Sequence, residues 1–311
     1  MIFVLFAISV IVFLIFNVIP NGSPALRICG KNCNAALLHQ IKIDFGFNDP
    51  IYVQYWTMMK QIFTGTLVSY NSQLNVLDQI KQGIPITFSL CIGAVFIWMT
   101  FAVFLGYLSA IKPGSFRDRA ITVVTAIGIS MPSFFLGALL LYYLTSKTSI
   151  FPPGGYVGFL SNPLDWAYHL ILPWFTLAFL FIGIYCRLLR SNMLDVMNED
   201  YVRTARAKGL TERQVRIRHV LRNSMVPIVT LFGLDVGALI GGGAIIIEFV
   251  YNLPGVGDYA ATSISNLDLP PIMAITLFGA FFIVLFNAFV DIAYAYLDPR
   301  VRLGESAEGS V

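Results

Sequence analysis

The sequence predicts an all-α polytopic membrane protein with six transmembrane helices, an extracytoplasmic insertion after the first and a cytoplasmic helix between the fourth and fifth. Three observations carry this expectation. Of 311 residues, 57% are hydrophobic and 12% charged, with a mean hydropathy of +0.75, a composition that excludes a soluble globular chain. Six stretches, 1–19, 84–111, 120–145, 167–188, 225–249 and 271–296, supply the roughly 20 apolar residues that one helical crossing needs. These runs are continuously apolar and do not alternate, which favours helices over a barrel, since only those two structures satisfy the backbone in lipid.

The 20 Lys and Arg set the orientation. Lys112, Arg117 and Arg119 follow the second stretch, nine more lie from Arg187 to Arg222, and Arg300 and Arg302 follow the sixth. The two short loops on the other side hold only Lys147. By the positive-inside rule both termini are cytoplasmic. The segment 20–83 carries the remaining five, but long translocated loops largely escape that rule.

In chain order, 1–19 reads as a retained first helix: it lacks the basic n-region of a signal peptide and its apolar run through Ile19 is long for an h-region. The missing N-terminal charge would fit a start upstream of Met1. Pro20, Gly22 and Pro24 then break the helix and open the insertion, 20–83. Within it, Cys29 and Cys33 flank Gly30 and suit either a disulfide in an oxidising exterior or, less readily, a metal. Asn48-Asp49-Pro50 marks a turn before a helical stretch, Ile51 to Phe63, with an aromatic face of Tyr52, Tyr55 and Trp56. It would pack as a lid or receive a soluble protein. A core, 84–300, holds five spans, and 301–311 is a cytoplasmic tail.

Inside the core, Lys112-Pro113-Gly114 is a tight turn, and Phe151-Pro152-Pro153-Gly154-Gly155-Tyr156 is too glycine-rich and rigid for helix. Pro132 and Pro173 read as kinks, and Cys91 and Cys186 as apolar packing residues. Gly241-Gly242-Gly243 interrupts the fifth span and admits close packing, a hinge or a passage for solute. Asp235, Glu248 and Asp291 are ionisable groups at or inside spans, where a charge costs roughly 2.5 to 3.5 kcal/mol on insertion scales and should face protein or water. Asp235, at mid-span, either faces a pore or hydrogen-bonds a neighbouring helix. Glu248 lies near the outer end and reads as reaching water. Asp291 follows Asn287 by one helical turn and anchors the cytoplasmic end. Asp235, Gly241, Gly242, Gly243 and Asn287 are the candidates for a translocation path.

Between spans four and five, Tyr201-Val202-Arg203-Thr204-Ala205-Arg206-Ala207-Lys208-Gly209-Leu210 reads as a basic, small-residue helix ended by a glycine, which takes the left-handed conformation at little cost. Thr211 with Gln214 has capping-box spacing and opens a second helix. Such a loop is either a solvated cytoplasmic loop or a docking element for a soluble partner.

Catalytic motifs are missing. Gly30-Lys31 is the only Gly-Lys pair, with Ala25 where a phosphate-cradling loop needs glycine and Asn32 where it needs a hydroxyl. His39, His169 and His219 have no metal-ligand spacing, and there is no nucleophile elbow or zinc-protease pair. No catalytic residue, metal, cofactor bound by this chain or nucleic-acid partner is expected.

Phe45-Gly46-Phe47-Asn48-Asp49-Pro50 with Gln54-Tyr55, Ser130-Met131-Pro132-Ser133-Phe134-Phe135-Leu136-Gly137, Phe151-Pro152-Pro153-Gly154-Gly155, Glu248 with Pro254-Gly255-Val256-Gly257, Asn287-Ala288-Phe289-Val290-Asp291 and Leu297-Asp298-Pro299-Arg300 carry a resemblance along nearly the whole chain. The chain resembles permease subunits of ATP-binding-cassette importers, of the dipeptide, oligopeptide and nickel branch. The basic helix resembles their coupling loop, written Glu-Ala-Ala with a distant glycine; aligning that glycine on Gly209 puts Arg203, Thr204 and Ala205 at the leading positions, of which only Ala205 is kept. The Tyr-Val-Arg-Thr-Ala-Arg-Ala-Lys-Gly form is usual in the peptide branch. His219 and Asn223 fall at the later polar positions.

The resemblance implies ATPase coupling through Tyr201, Arg203, Thr204, Ala205, Arg206, Lys208, Gly209, His219 and Asn223, with Ala205 seated in a partner groove. It also implies a bacterial inner-membrane location, a second homologous permease, one or two ATPase subunits using ATP and Mg, an extracytoplasmic solute-binding protein, a peptide substrate and a lipid environment. Nickel, an opine or another small solute is the alternative cargo, and an ATP-independent secondary carrier the alternative mechanism.

Overall fold

The computed structural model describes residues 2–18, 24–29 and 33–297. Pro20, Gly22, Gly30, Lys31, Asp298, Pro299, Arg300, Arg302 and the tail 301–311 lie outside these. Among the described residues the chain is helical, with one isolated antiparallel bridge between Val68 and Asn75. It divides into two compact units: one joins the residues up to Phe88 to Ile240–Val284, the other joins Ser89–Leu239 to the residues from Leu285 onward.

The first unit opens with α1 (Ile2–Phe13), continued by a π-helical turn Leu14–Val18. Next come α2 (Pro24–Cys29) and α3 (Ala35–Asp44), the latter begun by Asn34, whose side chain accepts the Leu37 N–H at 2.7 Å. Cys29 and Cys33 are joined by a disulfide. α4 (Ile51–Thr64) starts after Pro50 and stops at Gly65, whose φ of +76° is the left-handed conformation that glycine adopts most cheaply. Its aromatics do not share one face. Tyr55 turns inward against Phe6 and Phe13, its hydroxyl 2.7 Å from Ser9 Oγ, while Tyr52 and Trp56 are exposed. Tyr55, Met58, Met59, Leu67, Val76 and Ile80 form a buried apolar cluster with Val12, Phe13 and Met273. Asp268 fastens the loop after α4 by accepting Ser69 Oγ–H at 2.5 Å and Tyr70 N–H at 3.0 Å. Burial, with that carboxylate nearby, pushes the Tyr70 hydroxyl above its ordinary range.

α5 (Val76–Ile111) begins well before residue 84, because Asn75 Oδ1 caps the Asp78 N–H at 3.1 Å and its polar first turns lie ahead of the apolar run. Where one kinked span was expected at 120–145, two helices stand, α6 (Phe116–Ser130) and α7 (Ser133–Leu140, extended by a π-helical turn Leu141–Lys147), bent by 101°. Pro132 is the cause: it forces Met131 into an extended conformation (φ −90°, ψ 122°) and cannot donate into the preceding turn. Pro173, the other expected kink, lies inside an unbroken α8 (Pro163–Val196), begun by Asn162 with Pro163 at its first position.

α9 (Asp200–Ala207) and α10 (Glu212–Gln214) follow, then a π-helical segment Val215–Leu221, α11 (Arg222–Ser224) and α12 (Val226–Ala238). The expected fifth span ends early, since the π-helical turn Leu239–Gly243 holds Gly242 at φ 151°, ψ −11°, and α13 (Ile245–Val250) is separate. α14 (Val256–Ser265) was not anticipated, and α15 (Leu269–Leu297) closes the described chain.

Among the described residues α5, α8, Val226–Gly243 and Leu269–Ile292 are long and apolar enough to cross a membrane; the bent pair makes a fifth if counted as one span, and Ile2–Phe16 is a shorter apolar helix. Glycine lets α6 and α8 approach: a Cβ on Gly183 would stand 2.7 Å from the Thr125 carbonyl oxygen. Cys91 and Cys186 are buried, as expected.

Candidate functional site

The basic loop is built as its spacing predicts. α9 ends at Ala207 with Lys208 as its C-cap, and Gly209 follows at φ +81°. Gly209 N–H donates to Arg206 O at 2.9 Å and Leu210 N–H to Ala205 O at 3.4 Å, the paired bonds of a Schellman ending. A Cβ on Gly209 would meet nothing within 4 Å, so the demand for glycine is conformational, not steric. The Thr211–Gln214 capping box is present in both directions.

The cations divide by how they are held. Arg206 Nε donates to Glu212 Oε1 at 2.9 Å, and Arg216 reaches the other oxygen at 3.5 Å, so Arg206 braces the turn between α9 and α10. Arg203 meets Asp200 at 3.5 Å with both side chains well exposed, a pairing of small worth. Arg203 and Lys208 are exposed on α9 and at its end, and Arg213, Arg218 and Arg222 are exposed further along the loop. Thr204 Oγ1 donates back to Asp200 O at 2.9 Å.

Tyr201 and Asn223 are brought together: Asn223 Nδ2 donates to the Tyr201 hydroxyl at 2.8 Å, tying the start of α9 to the chain just before α12. His219 is half-buried in the π-helical segment between them. Ala205 is 5% exposed, on the inward face with Val202, and α9 packs against the segment Val215–Leu221. Its smallness serves packing within the chain.

The candidates for a path are placed as follows. Asp235 is half-buried and accepts a hydrogen bond from the Tyr185 hydroxyl at 2.6 Å, the helix-to-helix bond that was one of its two readings. Tyr185 lies in an aromatic group with Trp98, Phe181 and Phe232. Gly241 meets Gly279 backbone to backbone: a Cβ on Gly279 would come 2.2 Å from Gly241 O. Gly242 supplies the break already described, Gly243 ends the same turn, and Asn287 is exposed on α15.

Glu248 does not reach water. It is fully buried, and its Oε2 accepts the N–H groups of Gly257 at 2.7 Å and Asp258 at 3.0 Å, capping α14 with a carboxylate. A Cβ on Gly255 would stand 2.3 Å from that oxygen, and one on Gly83 would stand 2.7 Å from Val256 N. The Pro254-Gly255-Val256-Gly257 motif thus exists to let a carboxylate and a neighbouring helix close on the turn.

A second polar centre escaped the sequence reading. Asp118, 3% exposed, accepts Arg190 Nε–H at 2.7 Å, Arg190 Nη2–H at 2.8 Å, Gly114 N–H at 2.8 Å and the Ser109 hydroxyl. One carboxylate thereby joins the end of α5, the Lys112-Pro113-Gly114 turn, the start of α6 and α8. Its signal was Ser115 three residues before Asp118, the spacing of a helix start; the Asp118 N–H donates to Ser115 Oγ at 3.3 Å.

Residues 102–303 match the family described as binding-protein-dependent transport system inner membrane component, and residues 1–91 match its N-terminal companion. The chain belongs to this family of importer permeases. This permease is 34% identical over 296 residues to a probable peptide transporter permease of Sinorhizobium fredii, covering 95% of this chain and 94% of the relative. It is 36% identical over 305 residues to an oligopeptide transport system permease of Bacillus subtilis, covering 96% and 95%. A probable D,D-dipeptide transport system permease of Escherichia coli is 32% identical over 326 residues, covering 98% and 95%. The MetNI methionine transporter in an inward-facing conformation shares the fold of this permease at 13% identity, with a TM-score of 0.56 over 71% of this chain and 97% of that one. These relatives uphold the peptide branch read from the motifs.

Proposed function

We propose that this permease forms half of the membrane pathway of a binding-protein-dependent importer for short peptides. The observation that carries the cargo is near full-length similarity at 32% to 36% to permeases named for peptides and dipeptides. The pathway has six spans per subunit, counting Ile2–Phe16 and the bent pair, lies in a bacterial inner membrane and keeps both termini in the cytoplasm. A second, homologous permease completes it and an extracytoplasmic binding protein delivers solute. Partner ATPases, using ATP and Mg, drive alternation between outward-open and inward-open states; this chain performs no catalysis of its own. The ATPase seats on the exposed side of α9, where Arg203 and Lys208 orient it, while Gly209, the Arg206–Glu212 pair and the Tyr201–Asn223 bond hold that side rigid. Asp235 and the Gly241-Gly242-Gly243 turn belong to the pathway.

Uptake of labelled dipeptides, oligopeptides and nickel ions into proteoliposomes tests this. The complete importer is expected to accumulate a peptide only with binding protein and ATP, and Arg203→Glu with Lys208→Glu to abolish accumulation while leaving the permease pair assembled. ATP-independent uptake by this chain would overturn the mechanism, and uptake of nickel with no peptide would overturn the cargo.

A further inference from the structure

A cavity within the first unit is lined by none of the coupling or path residues assigned above. It measures about 750 Å³ and is walled by α1, α4, the first turns of α5 and the early part of α15, with Leu5, Met59, Leu77 and Leu277 among its lining. That volume suits an organic ligand, and the wall is almost wholly apolar. The hydroxyls of Ser9 and Tyr55, which also line it, bond to each other at 2.7 Å. Its remaining ionic group is Lys60, and no lining residue is acidic. Trp56, Lys60 and Phe63 recur along one side of α4 and all are exposed, Phe63 at 86%. An apolar chamber edged by a tryptophan and one unopposed cation calls for an amphipathic ligand whose polar end is anionic.

We propose that this cavity binds an anionic phospholipid, one acyl chain lying between α1, α4 and α15 and its phosphate held by Lys60. Each buried CH₂ contributes to retention through the hydrophobic effect. Lys60 selects the headgroup charge, and Trp56 sits at the level of the glycerol backbone. The bound lipid fills the space beside Tyr55 and so braces α1 against α4.

The test uses the intact importer in nanodiscs of phosphatidylcholine doped with a photoreactive phosphatidylglycerol or, separately, a photoreactive phosphatidylcholine, with cross-linked peptides mapped by mass spectrometry. Phosphatidylglycerol is expected to label α1, α4 and residues near Leu277, more strongly than phosphatidylcholine does. Lys60→Glu should lower that labelling at least about fivefold, the factor one basic residue near an anionic surface supplies, while Lys60→Arg preserves it. Leu77→Trp, which fills the chamber without touching the charge, should lower labelling by both lipids. Equal labelling by the two lipids, or labelling unchanged in Lys60→Glu, overturns the headgroup assignment. Cross-linking of a Leu77→Cys variant to the second permease in place of lipid overturns the proposal altogether, since the chamber would then be a subunit interface.

Discussion

Gly209 and Gly255 are both indispensable glycines in this permease, for opposite reasons. At Gly209 there is room for a side chain but the φ of +81° disfavours one, so Gly209→Ala should cost roughly 1–2 kcal/mol, with Asn tolerated better than Val. At Gly255 a Cβ would collide with the Glu248 carboxylate. Gly255→Ala should therefore release the Gly257 and Asp258 N–H bonds, and Glu248→Ala, which removes their acceptor outright, should cost about 1–3 kcal/mol. Hydrogen exchange resolves the two cases: the first substitution should loosen only the amides around Leu210, the second those at the start of α14. Ala205 supplies a third contrast. Because it is buried, Ala205→Glu should expose the amides of α9 to exchange before any partner is involved, as a charge on that inward face must find water. Arg203→Glu with Lys208→Glu should leave those amides protected, and loss of their protection would show that the two cations also hold the loop's shape.

Between elements, the Asp118–Arg190 pair joins the end of α5, the turn after it, α6 and α8. Replacing Arg190 by Met leaves a buried carboxylate with only Ser109 and Gly114 as donors, and should lower stability by about 3–5 kcal/mol, read as thermal unfolding of the detergent-solubilised importer. Arg190→Lys should recover part of the loss, since a single ammonium cannot reproduce the two-pronged bond. No loss in the Met variant would mean that water replaces the guanidinium. This pair also marks the limit of what the sequence discloses. Apolar runs located the helices, because bilayer thickness demands them whatever the tertiary fold, and the capping box and the glycine stop of α9 were legible because both are local bonding patterns. Asp118 and Arg190 are 72 positions apart, and local pattern says nothing of such a pairing. The break at Pro132 was foreseen as a kink, but its 101° depends on what the two halves pack against. Glu248 was misplaced for a related reason: proximity to a span end suggested water, whereas the acceptor-hungry turn it serves lies beyond the helix.

For the molecule as a whole, the orientation proposed from charge is directly checkable. With a membrane-impermeant thiol reagent, Lys147→Cys should label in intact cells and Arg203→Cys only after permeabilisation; the reverse pattern would invert the topology. The Arg203 side belongs to a loop whose first and last parts are spanned by one bond, from Asn223 to the Tyr201 hydroxyl, across 22 positions of sequence. A load on the ring of Tyr201 is therefore delivered to the foot of α12 without first having to straighten the turn and the π-helical coil between them. With the Arg206–Glu212 pair bracing the turn, this bond makes the loop a triangulated strut instead of a spring, and Tyr201→Phe should lengthen the stroke lost before the span begins to move.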